Sequence, residues 1–226
     1  MQKKRLFNAL SLVGNLTILF VTATIITENF RSDIAILTTL LITDGWGLFR
    51  YFTVLSNVLM ALVSAATLYY NVRNIVRDEY VFPAVLMKIK FAATTAVSVT
   101  FLTVVFFLSP MFSIGGSGYF TLFAGNNFFM HFSTPVIAIL TFILFERTEL
   151  KFVESLYGVI PTFLYSILYV LTVAVFKVWE DFYGFTFGGQ VFIIPISLVV
   201  MYAATFGIAV GLRALQKLCM KKVSLE

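Results

Sequence analysis

The chain has 226 residues, 60% hydrophobic and only 12% charged, with a mean hydropathy of +0.95 and a formal net charge of +5. A soluble domain carries about 25% charged residues and has too little interior to hide this much apolar surface, so the sequence reads as an integral membrane protein. A single cysteine (Cys219) and a single histidine (His131) exclude a disulfide framework, a CxxC redox centre and a histidine- or cysteine-rich metal site, and no cofactor is expected.

Stretches free of Asp, Glu, Lys and Arg place the spans, each of which needs roughly 20 apolar residues to cross. Leu6–Thr27 follows Lys3, Lys4 and Arg5 in the manner of a signal peptide. It exceeds the roughly 7–15 residues of an h-region and no small-residue cleavage site follows, so it is kept as a helix. Residues 34–43, between Asp33 and Asp44, are too few to span and read as an interfacial or re-entrant segment. Tyr51–Val72 is the second span. Phe91–Phe145 is long enough for two, and the breakers from Ser109-Pro110 to Gly118 predict a turn between them. Ser155–Phe176 and Phe182–Leu212 complete an all-α, six-helix polytopic domain over residues 1–226, with helices at about 6–27, 49–72, 86–108, 124–145, 157–178 and 190–212.

This arrangement puts every Lys and Arg except Arg31, Arg50 and Lys177 on the side of the two termini. The bias makes that side cytoplasmic. Counting 34–43 as a span would reverse it. The positive charge at the loop ends suits anionic lipid head groups and gives no reason to expect nucleic acid. The membrane is expected to be the plasma membrane if the source is bacterial, and the endoplasmic reticulum or plasma membrane if it is eukaryotic.

Polar groups inside spans must find partners within the protein, so they are candidate functional residues. They are Asn15, Thr53, Ser56, Asn57, Asn127, His131, Thr134, Tyr165 and Tyr169. No Asp or Glu falls near mid-membrane, and Glu146 and Lys177 lie at helix ends. The second and fourth helices both run inward from the outer side, which places Thr53 and His131 within a few turns of the outer boundary, able to face one cavity. Asn57 is one turn from Thr53, and Asn127 one turn from His131, so each helix presents a two-residue polar stripe. Pro135 frees a backbone carbonyl beside His131. Each residue has a plainer reading: Thr53 as a helix-start hydroxyl, the asparagines as interhelical glue, Trp46, Tyr51 and Trp179 as an aromatic belt, Cys219 as an inert or palmitoylated thiol. A histidine facing lipid is the hardest of these to leave without a role.

The segments Arg50-Tyr51-Phe52-Thr53-Val54-Leu55-Ser56-Asn57 and Met130-His131-Phe132-Ser133-Thr134-Pro135 resemble those of the androgen-induced-gene and androgen-dependent-TFPI-regulating-protein family and its microbial relatives. The resemblance implies an intramembrane threonine hydrolase acting on fatty acid esters of hydroxy fatty acids or similar acyl lipids. Thr53 would be its nucleophile and His131 its base. The residue chemistry agrees, because a threonine hydroxyl attacks only when a neighbouring base takes its proton, and neutral imidazole is suited to this. Asn57, Asn127 or Ser56 would support the oxyanion, with a backbone carbonyl or an asparagine orienting the ring. The alternatives are a small lipid or solute transporter and a non-catalytic lipid-binding membrane protein. Carriers usually bury carboxylates or break helices near the midplane, and neither feature is clear in the sequence.

Overall fold

A computed structural model describes residues 2–30, 45–186 and 188–222, so residues 34–43 and Asp44 lie outside the described residues. The described chain is helical without strands, and six helices are long and apolar enough to cross a membrane. They are α1 (Lys3–Phe30), α2 (Phe52–Arg77), α3 (Ala84–Ile114), α4 (Asn126–Phe145), α5 (Phe152–Val175) and α6 (Val191–Lys221). The α2–α3 and α4–α5 connections share one end of the bundle with the start of α1, hereafter the basic end. The α3–α4 and α5–α6 connections share the far end.

Helix boundaries depart from expectation for local reasons. Residues 45–50 wind as a separate 3₁₀ turn, and Tyr51 is extended (φ −90°, ψ 132°), so α2 starts at Phe52 rather than residue 49. It runs on to Arg77, where Asp78 adopts a left-handed conformation and its N–H bonds the Asn74 carbonyl. The expected break at Ser109-Pro110 is absent: α3 continues through both residues to Ile114, and the chain turns at residues 115–118. Proline lacks an N–H and crowds the carbonyl four residues back. A wide π turn over Val104–Leu108 absorbs that mismatch. Pro135 is accommodated the same way, by a π turn over Phe129–Ser133 that contains His131.

Helix α3 is the central strut, with more of its span buried than any other described helix, whereas α6 is the least buried. Its run Ala92-Ala93-Thr94-Thr95-Ala96-Val97-Ser98 is wholly buried, and small side chains let neighbouring backbones approach closely. Gly158 on α5 serves the same end, since a Cβ there would sit 2.7 Å from the Ala209 Cβ and 2.8 Å from the Thr95 hydroxyl. Ile18, Met60, Val63, Ala93, Val97 and Ala138 join α1 to α4 around this strut.

The structure corrects one reading of the sequence. Lys90, counted among the loop charges, lies inside the bundle, and Glu146 at the α4 terminus is equally inaccessible: both side chains are 0% exposed. Lys90 is six residues into α3, roughly 9 Å along it. Its Nζ lies 3.4 Å from Glu146 Oε1, donates to Ser64 Oγ at 3.3 Å and donates to the Asn15 side-chain oxygen Oδ1. Glu146 Oε1 also accepts from Ser11 Oγ (2.9 Å) and Asn15 Nδ2 (2.6 Å). Gln216 ties α6 to the same place by donating to the Phe142 and Glu146 carbonyls. Tyr80 closes the end from outside, its hydroxyl donating to the Phe145 carbonyl and accepting from the Arg147 N–H.

A buried charge left without its partner costs roughly 3–5 kcal/mol. Lys90→Met is therefore expected to lose about that much stability, with the double variant Lys90→Met/Glu146→Gln recovering at least about half of it. Thermal unfolding in detergent measures both. Strictly additive losses would show that the two side chains do not act as a pair.

Candidate functional site

Thr53 is the second residue of α2, and its position is set by groups outside its own helix. Tyr51 provides no side-chain cap; instead the Phe52 N–H donates to the Tyr183 hydroxyl at 3.0 Å. Tyr183 belongs to the α5–α6 connection, where its own N–H donates to the Tyr169 hydroxyl (3.0 Å), and that hydroxyl donates to Asp181 Oδ1 (2.7 Å). Asp181 further accepts from the Phe185 N–H (2.9 Å), the Thr186 N–H (2.7 Å) and the Thr186 hydroxyl. Burial pushes this carboxyl up, but the hydrogen bonds from Thr186, Tyr169 and Phe185 outweigh it and hold the carboxyl below its ordinary range. Burial pushes the Tyr183 phenol up to about 12, against the opposing Phe52 N–H, so it stays neutral at physiological pH. Tyr165 completes the cap by donating to the Arg50 carbonyl at 2.7 Å.

Asn57 joins α2 to α4. Its Nδ2 donates to the Thr53 carbonyl (2.7 Å) and to the Met130 carbonyl (3.1 Å). Both acceptors are carbonyls, so the amide orientation is fixed and both hydrogens are consumed. Asn57 is thus a bridge between the backbones of the two expected functional segments, with no N–H left for an oxyanion. Ser56 is likewise committed, donating to the Thr53 carbonyl at 3.0 Å and pairing with the Thr100 hydroxyl at 3.2 Å. Asn127 is half-buried, and its side chain makes no hydrogen bond among the described residues. The buried asparagine at this level is Asn126, which donates to Glu28 at 3.1 Å.

No hydrogen bond joins Thr53 to His131. The imidazole Nδ1 lies 2.8 Å from the Leu122 carbonyl oxygen. A carbonyl can only accept, so Nδ1 carries the proton and the neutral ring keeps its lone pair on Nε2. The Thr53 hydroxyl has no hydrogen-bond partner among the described residues, and Thr53 lines a cavity of about 160 Å³ with Thr100, Thr103, Thr162, Tyr165, Tyr183 and the apolar side chains of Val104, Phe107, Leu108, Phe185 and Met201. His131 is outside that lining. A second cavity of about 250 Å³, walled by Leu55, Leu59, Pro161, Leu164 and Leu168, shares Phe52 and Tyr165 with the first.

Tyr183, Thr162 and Asp181 were not candidates from sequence. Tyr183 and Asp181 lie in a connection whose aromatics read as interfacial, and Thr162 resembles any threonine bonded back to its helix. The Thr162 hydroxyl is in fact buried without a partner. Of the remaining candidates, Asn15 belongs to the Lys90–Glu146 cluster and Thr134 is buried on α4. No family model, curated protein or solved structure matches the chain, so the site's own chemistry is the basis for assigning it a function.

Two stability outcomes follow from this geometry. Asn57→Ala removes both hydrogen bonds of the amide that ties α2 to α4 here and is expected to cost about 1–3 kcal/mol, read by thermal unfolding. Because the Asp181 carboxyl is held below its unfolded value, its contribution is present above the usual carboxylate range and is lost as pH falls through its lowered native value. The melting temperature should decline over that acid window in the parent protein, and less steeply in Asp181→Asn, which starts from a lower value.

Proposed function

We propose that the protein is an intramembrane hydrolase of acyl-lipid esters, fatty acid esters of hydroxy fatty acids among them. Thr53 serves as nucleophile and His131 as general base. The observation that carries this reading is the state of the two groups: an unpartnered hydroxyl on a largely apolar cavity, and an imidazole whose Nε2 is left free to take a proton. Asn57 supports it by holding the two backbones together at Thr53 itself and one residue before His131. Two cavities that share Phe52 and Tyr165 in their walls suit an ester, which has an apolar chain on each side of the scissile bond.

In the reaction, His131 Nε2 takes the Thr53 proton, directly or through one water, as Oγ attacks the acyl carbonyl. The imidazolium then protonates the departing alkoxide, leaving an acyl-threonine and the free hydroxy product. Water, deprotonated by the same nitrogen, attacks the acyl-enzyme and releases the fatty acid and the Thr53 hydroxyl. Apo geometry is commonly looser than reacting geometry, so ring and hydroxyl draw together on substrate entry. Thr53 lies near the far end of α2, and the excess of Lys and Arg at the opposite end supports an external or luminal position for the site.

The test is hydrolysis of a panel of lipid esters by the purified protein, followed by mass spectrometry. Thr53→Ala should abolish cleavage and labelling by a fluorophosphonate, while Thr53→Ser keeps measurable activity because only the methyl is lost. His131→Ala should cost about 10²–10⁴-fold in rate. Activity should rise with pH as the imidazole loses its proton, since only the neutral ring accepts one. Unchanged hydrolysis in both Thr53→Ala and His131→Ala would remove the dyad.

The buried Lys90–Glu146 pair favours a second reading, a proton-linked carrier, because intramembrane ionisable groups commonly mark ion pathways. In that case proteoliposomes would show solute-dependent proton flux that Glu146→Gln abolishes, and no ester would be cleaved.

A further inference from the structure

The basic end carries a cavity of about 580 Å³ between α6 and the α4–α5 connection. Lys151, Arg213, Lys217 and Lys221 line it, against one carboxylate, Glu149. None of these five forms an ion pair among the described residues. Arg213, Lys217 and Lys221 recur every four residues and so occupy one face of α6. The helix is long enough to carry that face out of the apolar layer: α6 spans 31 residues, about 46 Å at 1.5 Å per residue, against roughly 30 Å of hydrocarbon.

Arg213 differs from the lysines in being pre-placed. Its Nε donates to the Leu150 carbonyl at 2.8 Å, and its guanidinium lies 5.7 Å from the centroid of the Phe152 ring. Neither terminal nitrogen has a hydrogen-bond partner among the described residues. A held guanidinium presents paired donors in the fork geometry that matches a phosphate, and little further side-chain entropy is lost on binding. The lysines supply charge beside it, and Leu150 and Met220 supply an apolar flank.

We propose that this cavity is a phosphate-binding site, with Arg213 as the two-pronged contact and Lys151, Lys217 and Lys221 as its charge complement. The same chemistry is offered by an anionic phospholipid head group and by a soluble phosphate. The cavity lies on the last turns of a helix longer than the apolar layer is thick, which suits a lipid phosphate as its ligand.

The experiment uses the full-length protein in phosphatidylcholine nanodiscs containing about 10% phosphatidylglycerol, a probe composition chosen on the strength of the head-group charge. Retained lipid is counted by native mass spectrometry after detergent exchange. Phosphatidylglycerol should be enriched over phosphatidylcholine, and Arg213→Gln and Lys217→Gln should each reduce that enrichment roughly fivefold. Arg213→Lys should also lose most of it, because the charge remains but the fork does not. Arg77→Gln, which removes an exposed charge from α2 at the same end, should leave it unchanged. Displacement of the retained lipid by millimolar inorganic pyrophosphate would assign the site to soluble phosphates; retention would assign it to the lipid. Equal losses in Arg77→Gln and Arg213→Gln, or no enrichment in the parent protein, would overturn the proposal by reducing the cavity to diffuse surface potential.

Discussion

The pairing of Lys90 with Glu146 sets the terms for the basic half of the bundle. Two ionised groups out of water each cost several kcal/mol, recovered only when geometry and supporting hydrogen bonds are good. Lys90 donates to Asn15 and Ser64 and forms an ion pair with Glu146. Glu146 Oε1 gathers Ser11, Asn15 and Lys90, drawing on α1, α3 and α4 together. Asn71 extends the contact to α2 through Ser11. In lipid there is no hydrophobic force between helices to do this, so packing of small residues and interhelical polar contacts must. The small-residue run of α3 and the ion pair are therefore one device: close approach brings the polar groups within reach, and the polar groups fix the register.

The far half is organised differently. Around Thr53 its polar groups are hydroxyls and the Asp181 carboxylate, assembled by a connection rather than by the helices, while Asn126 and Glu28 join α4 to α1. That connection reaches back through Tyr183 to cap α2, so the backbone conformation at Thr53 depends on residues about 130 positions away in sequence. Ser56 and Asn57 hold the Thr53 carbonyl from the other side. The hydroxyl is thus free while the backbone bearing it is held at both ends, the arrangement a nucleophile requires if it is to be presented rather than merely present.

How much of this could be read in advance follows from what each signal depends on. The six spans were legible because lipid demands uninterrupted apolar sequence, a local property. Pro135 and His131 were legible as a pair for the same reason, and the π turn around the histidine is the local response to that proline. Pro110 misled because a proline reads as a break, whereas a wide turn one residue upstream lets the helix continue. Lys90 misled because a charge six residues inside a helix boundary is indistinguishable in sequence from one just outside it, and its counter-charge is 56 positions further on. The role of Asn57 was half legible. Its place on the face shared with Thr53 followed from spacing, but its use as a bridge to Met130 depends on a tertiary contact that no spacing encodes.

The absence of an acidic partner for His131 then has a physical account. In a water-exposed triad a carboxylate orients the imidazole and stabilises its cation. Beneath an apolar surface that carboxylate would itself need a partner, as Glu146 does, and would bring the cost of a second desolvated charge. The Leu122 carbonyl fixes the tautomer and aims the ring with a dipole in place of a charge, adding no net charge to the resting site. It can do so because the α3–α4 connection folds back over α4, setting Phe123 edge-on against Phe132, which itself stacks on Phe128 of α4, and leaving a backbone carbonyl within reach of the imidazole. A base oriented this way is weaker than one backed by a carboxylate. It is sufficient for an ester, whose alkoxide leaving group is easier to expel than an amine, and the acyl-lipid esters proposed as substrates fall within that limit.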